Sequence, residues 1–107
     1  MSGRDAVERP ALGWWIAILG GLALTGLLGF HDGAYALFAQ HVTAVFPQRL
    51  LAVVFVVSYA IHLGEALYAR ALARRAGLHA SATAWAVQTF LLGFPSLRLL
   101  RARTAGR

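Results

Sequence analysis

His62 and Glu65 put an imidazole and a carboxylate three residues apart, and Tyr68 follows Glu65 at the same interval. Ser58 precedes His62 by four residues and Tyr59 by three. On an α-helix these spacings place the side chains on or beside one face. Such a set has few chemical uses. A carboxylate and an imidazole in contact can trade a proton as acid and base. The same groups can line a ligand pocket, or act as glue between helices at about 1 kcal/mol per bond. A metal centre needs more: one His-x-x-Glu supplies two ligands, and zinc or di-iron sites draw the rest from other helices. The chain has no cysteine, which excludes disulfides, thiol catalysis, iron–sulfur clusters and cysteine-ligated zinc. His31, His41 and His79 lie near the expected membrane interfaces, away from the hairpin centre, and read as ordinary interfacial histidines. No metal and no cofactor is expected.

The elements that carry these residues are apolar. Hydrophobic residues make up 59% of the 107 and charged residues 13%, against about 45–50% and about 25% in soluble domains. That balance excludes intrinsic disorder and argues against a soluble single domain, since a chain this short buries only about 60–65% of its surface. The fold class expected is all-α: a small integral membrane helical bundle forming one domain. Residues 1–9 read as a polar tail. From Pro10 to Phe30 there is no charge, about 31 Å of helix against a hydrocarbon core of about 30 Å. This exceeds the roughly 7–15 residues of a signal-peptide core, so residues 12–30 are read as span one, with Trp14 and Trp15 at its interface. Ala17, Gly21 and Thr25 give it a small-residue face. Residues 34–46 are apolar at helical spacing but too short to cross, and read as an interfacial or re-entrant helix ended by Pro47. Residues 50–69 form span two, ended by Arg70, Arg74, Arg75 and Gly77. Residues 80–100 form span three, kinked by Pro95. The alternative makes residues 34–46 a fourth span.

Ten arginines, no lysine and four acids give a charge of +6. The arginines flank apolar runs without interleaved aromatics, so lipid headgroups are the expected partner rather than nucleic acid. Three spans put Arg4, Arg9, Arg70, Arg74 and Arg75 on one side and Arg49, Arg98, Arg101, Arg103 and Arg107 on the other. That balance sets no orientation. Four spans would collect all but Arg70, Arg74 and Arg75 on one side.

Within span two, Glu65 cannot face lipid cheaply; an ionised group at the centre of a span costs about 2.5–3.5 kcal/mol on insertion scales. It must face protein, water or a ligand. An antiparallel hairpin of spans two and three, turning near Arg75, sets Gln88 opposite His62 and Trp85 opposite Glu65. The candidate polar site is therefore His62, Glu65, Tyr68 and Gln88, with Trp85, Ser58 and Tyr59 around it. Gly64 permits close backbone approach, and Gly93, Pro95 and Ser96 mark a point where the chain can bend.

Ile61-His62-Leu63-Gly64-Glu65-Ala66-Leu67-Tyr68, followed by Gln88-Thr89-Phe90 and Gly93-Phe94-Pro95-Ser96-Leu97, resembles the transmembrane protein 254 family. The family pattern is Ile-His-x-Gly-Glu-x-Leu-Tyr, then Gln-Thr-Phe and Gly-x-x-Ser-Leu, and the likeness covers about residues 59–100. It implies a small multi-span membrane protein with no assigned activity. Its motif residues fall on His62, Gly64, Glu65, Tyr68, Gln88, Gly93 and Ser96.

The leading functional expectation is a small membrane protein without catalysis of its own. It would pack in a membrane complex, with lipid, or with a second copy. A lipid- or sterol-modifying enzyme using His62 and Glu65 as acid and base is the alternative, and a proton-coupled transporter component is the third. An integral membrane location is expected, the inner membrane for a bacterial chain.

Overall fold

The computed structural model describes residues 5–105. Residues 1–4 of the expected polar tail and residues 106–107 lie outside the described residues. The described chain is helical: α1 (Leu12–Phe30), α2 (Asp32–His41), α3 (Gln48–Arg75), α4 (Ala82–Leu92) and α5 (Phe94–Thr104).

α1 and α3 are the two helices long and apolar enough to cross a membrane. At about 1.5 Å per residue, the 19 residues of α1 reach about 28 Å and the 28 of α3 about 42 Å. They run antiparallel, and their close approach is at one end. A Cβ on Gly29 would lie 2.6 Å from the Ala52 amide nitrogen, and one on Gly26 would lie 2.6 Å from the Phe55 ring. Glycine is needed there because the α3 backbone occupies the space of a side chain. The small-residue face predicted at Ala17, Gly21 and Thr25 does not make this contact. Gly21 has open space beside it, and the Thr25 hydroxyl bonds back to the Gly21 carbonyl at 2.7 Å. Outward, the two helices present Leu12, Ile16, Leu24, Val53, Val57 and Ile61. An apolar surface this continuous is matched by lipid, not water.

α2 is shorter than the helix expected over 34–46. It ends at His41, because β-branched Val42, Thr43 and Val45 disfavour the helix and the Thr43 hydroxyl takes the Val45 amide into a local turn (3.1 Å). Tyr35 donates its hydroxyl to the Phe46 carbonyl at 2.6 Å, and Gln48 reaches Asp32 at 3.0 Å, folding the connection back to α3. Ten residues reach about 15 Å, so α2 is no fourth span.

The expected third span is not one helix either. It breaks at Gly93, whose φ of 70° and ψ of −129° lie where only glycine is at ease. Pro95 falls in the first turn of α5, where its missing N–H is harmless. α5 then doubles back along α4. Gln88 and Thr89 both reach Ser96 at 3.0 Å; a continuous helix would hold these pairs roughly 10–12 Å apart. Trp85 of α4 and Leu100 of α5 share one core with Ala69, Ala73, Leu78 and Ala82. α4 and α5 therefore form a hairpin that lies on the second half of α3, where Ala66, Ala69 and Ala73 are buried.

The turn into this hairpin is fixed at both sides. α3 ends with the Leu78 amide on the Ala73 carbonyl (2.8 Å) and the Gly77 amide on the Arg74 carbonyl (3.1 Å), with Gly77 at φ 85°. These are the paired bonds of a Schellman motif, and Leu78 inserts into the core as that motif favours. At the start of α4, Ser81 makes no side-chain cap. Asp5 instead fastens the turn just before the helix, accepting the amides of Ala80 and Ser81 at 2.9 Å each and the Ser81 hydroxyl. Arg103 at the end of α5 donates to the Ala6 carbonyl (2.9 Å) and to Glu8 (3.3 Å). Thus the N-terminal segment, the α3–α4 turn and the end of α5 gather at one end of the molecule. α2 and the start of α3 form the other.

Candidate functional site

His62 lies in α3 where the tip of the α4–α5 hairpin meets it. Its Nδ1 is 2.8 Å from the Phe90 carbonyl. Since a carbonyl can only accept, Nδ1 carries the proton. Phe90 belongs to the last turn of α4, whose carbonyls lack intrahelical partners once Gly93 ends the helix. Thr89 is served by the Gly93 amide at 2.6 Å, and Phe90 is served by His62. The histidine is thus a capping group supplied by a neighbouring helix. Its other nitrogen faces Gly93, where a Cβ would stand 2.8 Å from Nε2. Tyr59 completes the setting, with ring centroids 5.8 Å from His62 and 5.5 Å from Phe90. Phe55 and Phe30 continue the aromatic contacts toward α2, at 4.9 and 5.7 Å.

Gln88 does not meet His62. The turn between α3 and α4 takes residues 76–81, more than the tight reversal near Arg75 that the sequence suggested, so the register moves by about two residues, roughly half a helical turn. Phe90 stands where Gln88 was expected. The buried Gln88 amide donates instead to the Glu8 carbonyl (2.8 Å) and to Ser96 (3.0 Å), and Ser96 bonds Thr89. Trp85 faces Ala69 and Ala73 rather than Glu65. Its fully buried indole Nε1 finds no acceptor among the described residues.

Glu65 is half-buried and makes no hydrogen bond or ion pair with any described residue. Together with Ser58, His62, Ile18, Leu92 and Pro95 it borders a shallow groove of about 230 Å³. Tyr68 is 45% exposed, and Gly64 has open space where a side chain would go. The structure therefore divides the candidate residues. His62, Gln88, Gly93, Pro95 and Ser96 build the hairpin and its joint to α3. Ser58 and Glu65 line a groove beside that joint. Gly64 and Tyr68 face outward from α3.

Three features escaped the sequence. One is the Phe90 carbonyl, a backbone group that no residue type announces. Another is the clamp of Asp5 on Ser81. That carboxyl is held below the usual aspartate range by the Ser81 hydroxyl, helped by the amides of Ala80 and Ser81 and by nearby His79, against some desolvation. The last is Arg98, whose guanidinium lies 5.9 Å from the Trp14 ring and 5.8 Å from that of Phe94. Phe94 is its i, i+4 neighbour within α5, whereas Trp14 is brought to it only by the reversal at Gly93. Among the described residues, no three His, Asp or Glu side chains converge as a metal ion would require.

No curated protein and no solved structure matches the chain. The family model described as Transmembrane protein 254 matches residues 13–102. The match takes in α1 and α2 as well as the His62 and Gly93 motifs, and so covers most of the chain. With apolar α1 and α3 and the motif residues gathered at the hairpin joint, the chain belongs to the Transmembrane protein 254 family.

Proposed function

We propose that this chain is a two-span membrane protein without catalysis of its own. Its α4–α5 hairpin caps one membrane interface, and it serves as an accessory or lipid-associated factor. The observation that carries this is the His62–Phe90 bond at 2.8 Å. The histidine best placed for acid–base work is occupied in closing a helix end, and Gln88, Thr89 and Ser96 satisfy one another. A polar network so engaged specifies a fold.

The same architecture supports an orientation. With the hairpin folded back, Arg9, Arg70, Arg74, Arg75, Arg98, Arg101 and Arg103 belong to one end and, among the described residues, Arg49 alone to the other. Arginine near span ends favours the cytoplasmic side, so both ends of the described chain face the cytoplasm and α2 faces away. Single-cysteine labelling tests this directly, because the chain has no cysteine of its own. Cysteines at Ala105 and Ala11 should react from the same side and one at Val45 from the opposite side. Labelling of Ala105 and Val45 from a common side would refute the two-span reading.

One observation favours the enzymatic alternative: His62 and Glu65 border the same groove, and Glu65 has no partner among the described residues. Glu65→Gln separates the readings. A variant that accumulates and assembles like wild type but fails to convert a lipid would establish catalysis. Unchanged lipid composition would leave the accessory role standing.

A further inference from the structure

The outer face of α5 carries Phe94, Leu97, Arg98 and Arg101, which line a groove of about 310 Å³. Arg98 and Arg101 are three residues apart, so both guanidinium groups project from one side of the helix. Both are exposed and neither has an ion-pair partner among the described residues. Arg103, further along the helix, differs in being tied to Glu8 at 3.3 Å. Two cations are thus left over at the open edge of an apolar groove.

The depth of this groove is set by its neighbours. Trp14 stands in the first turn of α1, the position where a span enters the headgroup layer. Its ring meets Phe94 edge-on at 5.8 Å, and Arg98 lies against both rings. Arg98 is therefore held at the level of lipid phosphates, with Phe94 and Leu97 on its apolar side.

We infer that Arg98 and Arg101 form a docking site for one anionic phospholipid, with its phosphate between the guanidinium groups and an acyl chain along Phe94 and Leu97. The charge is complementary, and a guanidinium pair offers planar donors suited to phosphate oxygens. The inference rests on the two-span reading, which fixes Trp14 at the interface.

The test uses the full chain in phosphatidylcholine vesicles with and without phosphatidylglycerol, followed by native mass spectrometry of the lipid that stays bound. Insertion into phosphatidylcholine alone reports the membrane reading; preference for phosphatidylglycerol reports the site. Wild type should retain the anionic lipid selectively. R98Q/R101Q should lose that preference by about fivefold for each arginine removed. R98K/R101K, which keeps the charge but loses the planar donors, should retain only part of it, and R74Q/R75Q at the same end should leave it unchanged. Equal loss in R74Q/R75Q would overturn the site in favour of diffuse attraction. Insertion without any lipid preference would overturn it and point the arginine pair toward an acidic protein surface. Failure to insert at all would overturn both the site and the membrane reading.

Discussion

Gly93 stands so close to His62 that a methyl group added to it would lie 2.8 Å from Nε2, at a backbone φ of 70°. Gly93→Ala therefore combines a strained conformation, about 1–3 kcal/mol, with displacement of the ring that caps α4. Gly64→Ala is the matched control: it lies in α3 with open space beside it and should gain roughly 0.5–1 kcal/mol from helix propensity. Thermal unfolding in detergent should move in opposite directions for the two variants.

His62→Ala leaves the Phe90 carbonyl without its donor and should cost about 1–3 kcal/mol. His62→Gln keeps a side-chain N–H and should recover part of the loss. Hydrogen exchange at the last turn of α4, compared with its first turn, would localise the effect. Equal stability of the alanine variant and wild type would show that the cap is dispensable.

Gly29→Ala drives a methyl into the Ala52 backbone, which cannot rotate away as a side chain would. Overpacking of this kind costs about 1–3 kcal/mol. Gly20, with nothing nearby, should accept alanine freely. Proximity labelling between α1 and α3 should weaken in the Gly29 variant alone.

Asp5 gives a prediction in pH. Its carboxyl is held below the usual aspartate range by Ser81 and its neighbours. A carboxyl depressed on folding contributes stability above its unfolded value and loses it as pH falls through the folded one. The N-terminal clamp should be complete at neutral pH and open in strong acid. Protection of the Ala80 and Ser81 amides, taken relative to their intrinsic exchange rates at each pH, should fall over that range, whereas in Asp5→Asn it should be lower at neutral pH and not change with the titration.

Periodicity and charge made the helical class and the first long apolar helix legible, because Pro10 to Phe30 is a run without charge. Gly77 as the stop of the second long helix was equally plain. The third span misled for a physical reason. Hydropathy reports the burial of residues 80–100 without reporting what buries them, and a hairpin packed on α3 is as apolar as a helix in lipid. Gly93 and Pro95 announced a bend; its sharpness depends on Ser96 finding Gln88 and Thr89, which is tertiary information. His62 was singled out for its chemistry. Its partner is main chain, invisible in any residue list.

The contacts of Asp5, Ala6 and Glu8 also dictate an order of assembly. Their partners at Ala80, Ser81, Gln88 and Arg103 lie 75 to 97 residues away, so nascent Asp5 has nothing to hold until the α3–α4 turn has been made. α1 and α3 can pair before that, while the N-terminal clamp closes only once α4 and α5 have followed. A change at Asp5 or at Arg103 would therefore disturb the same late event, although the two lie far apart in the sequence.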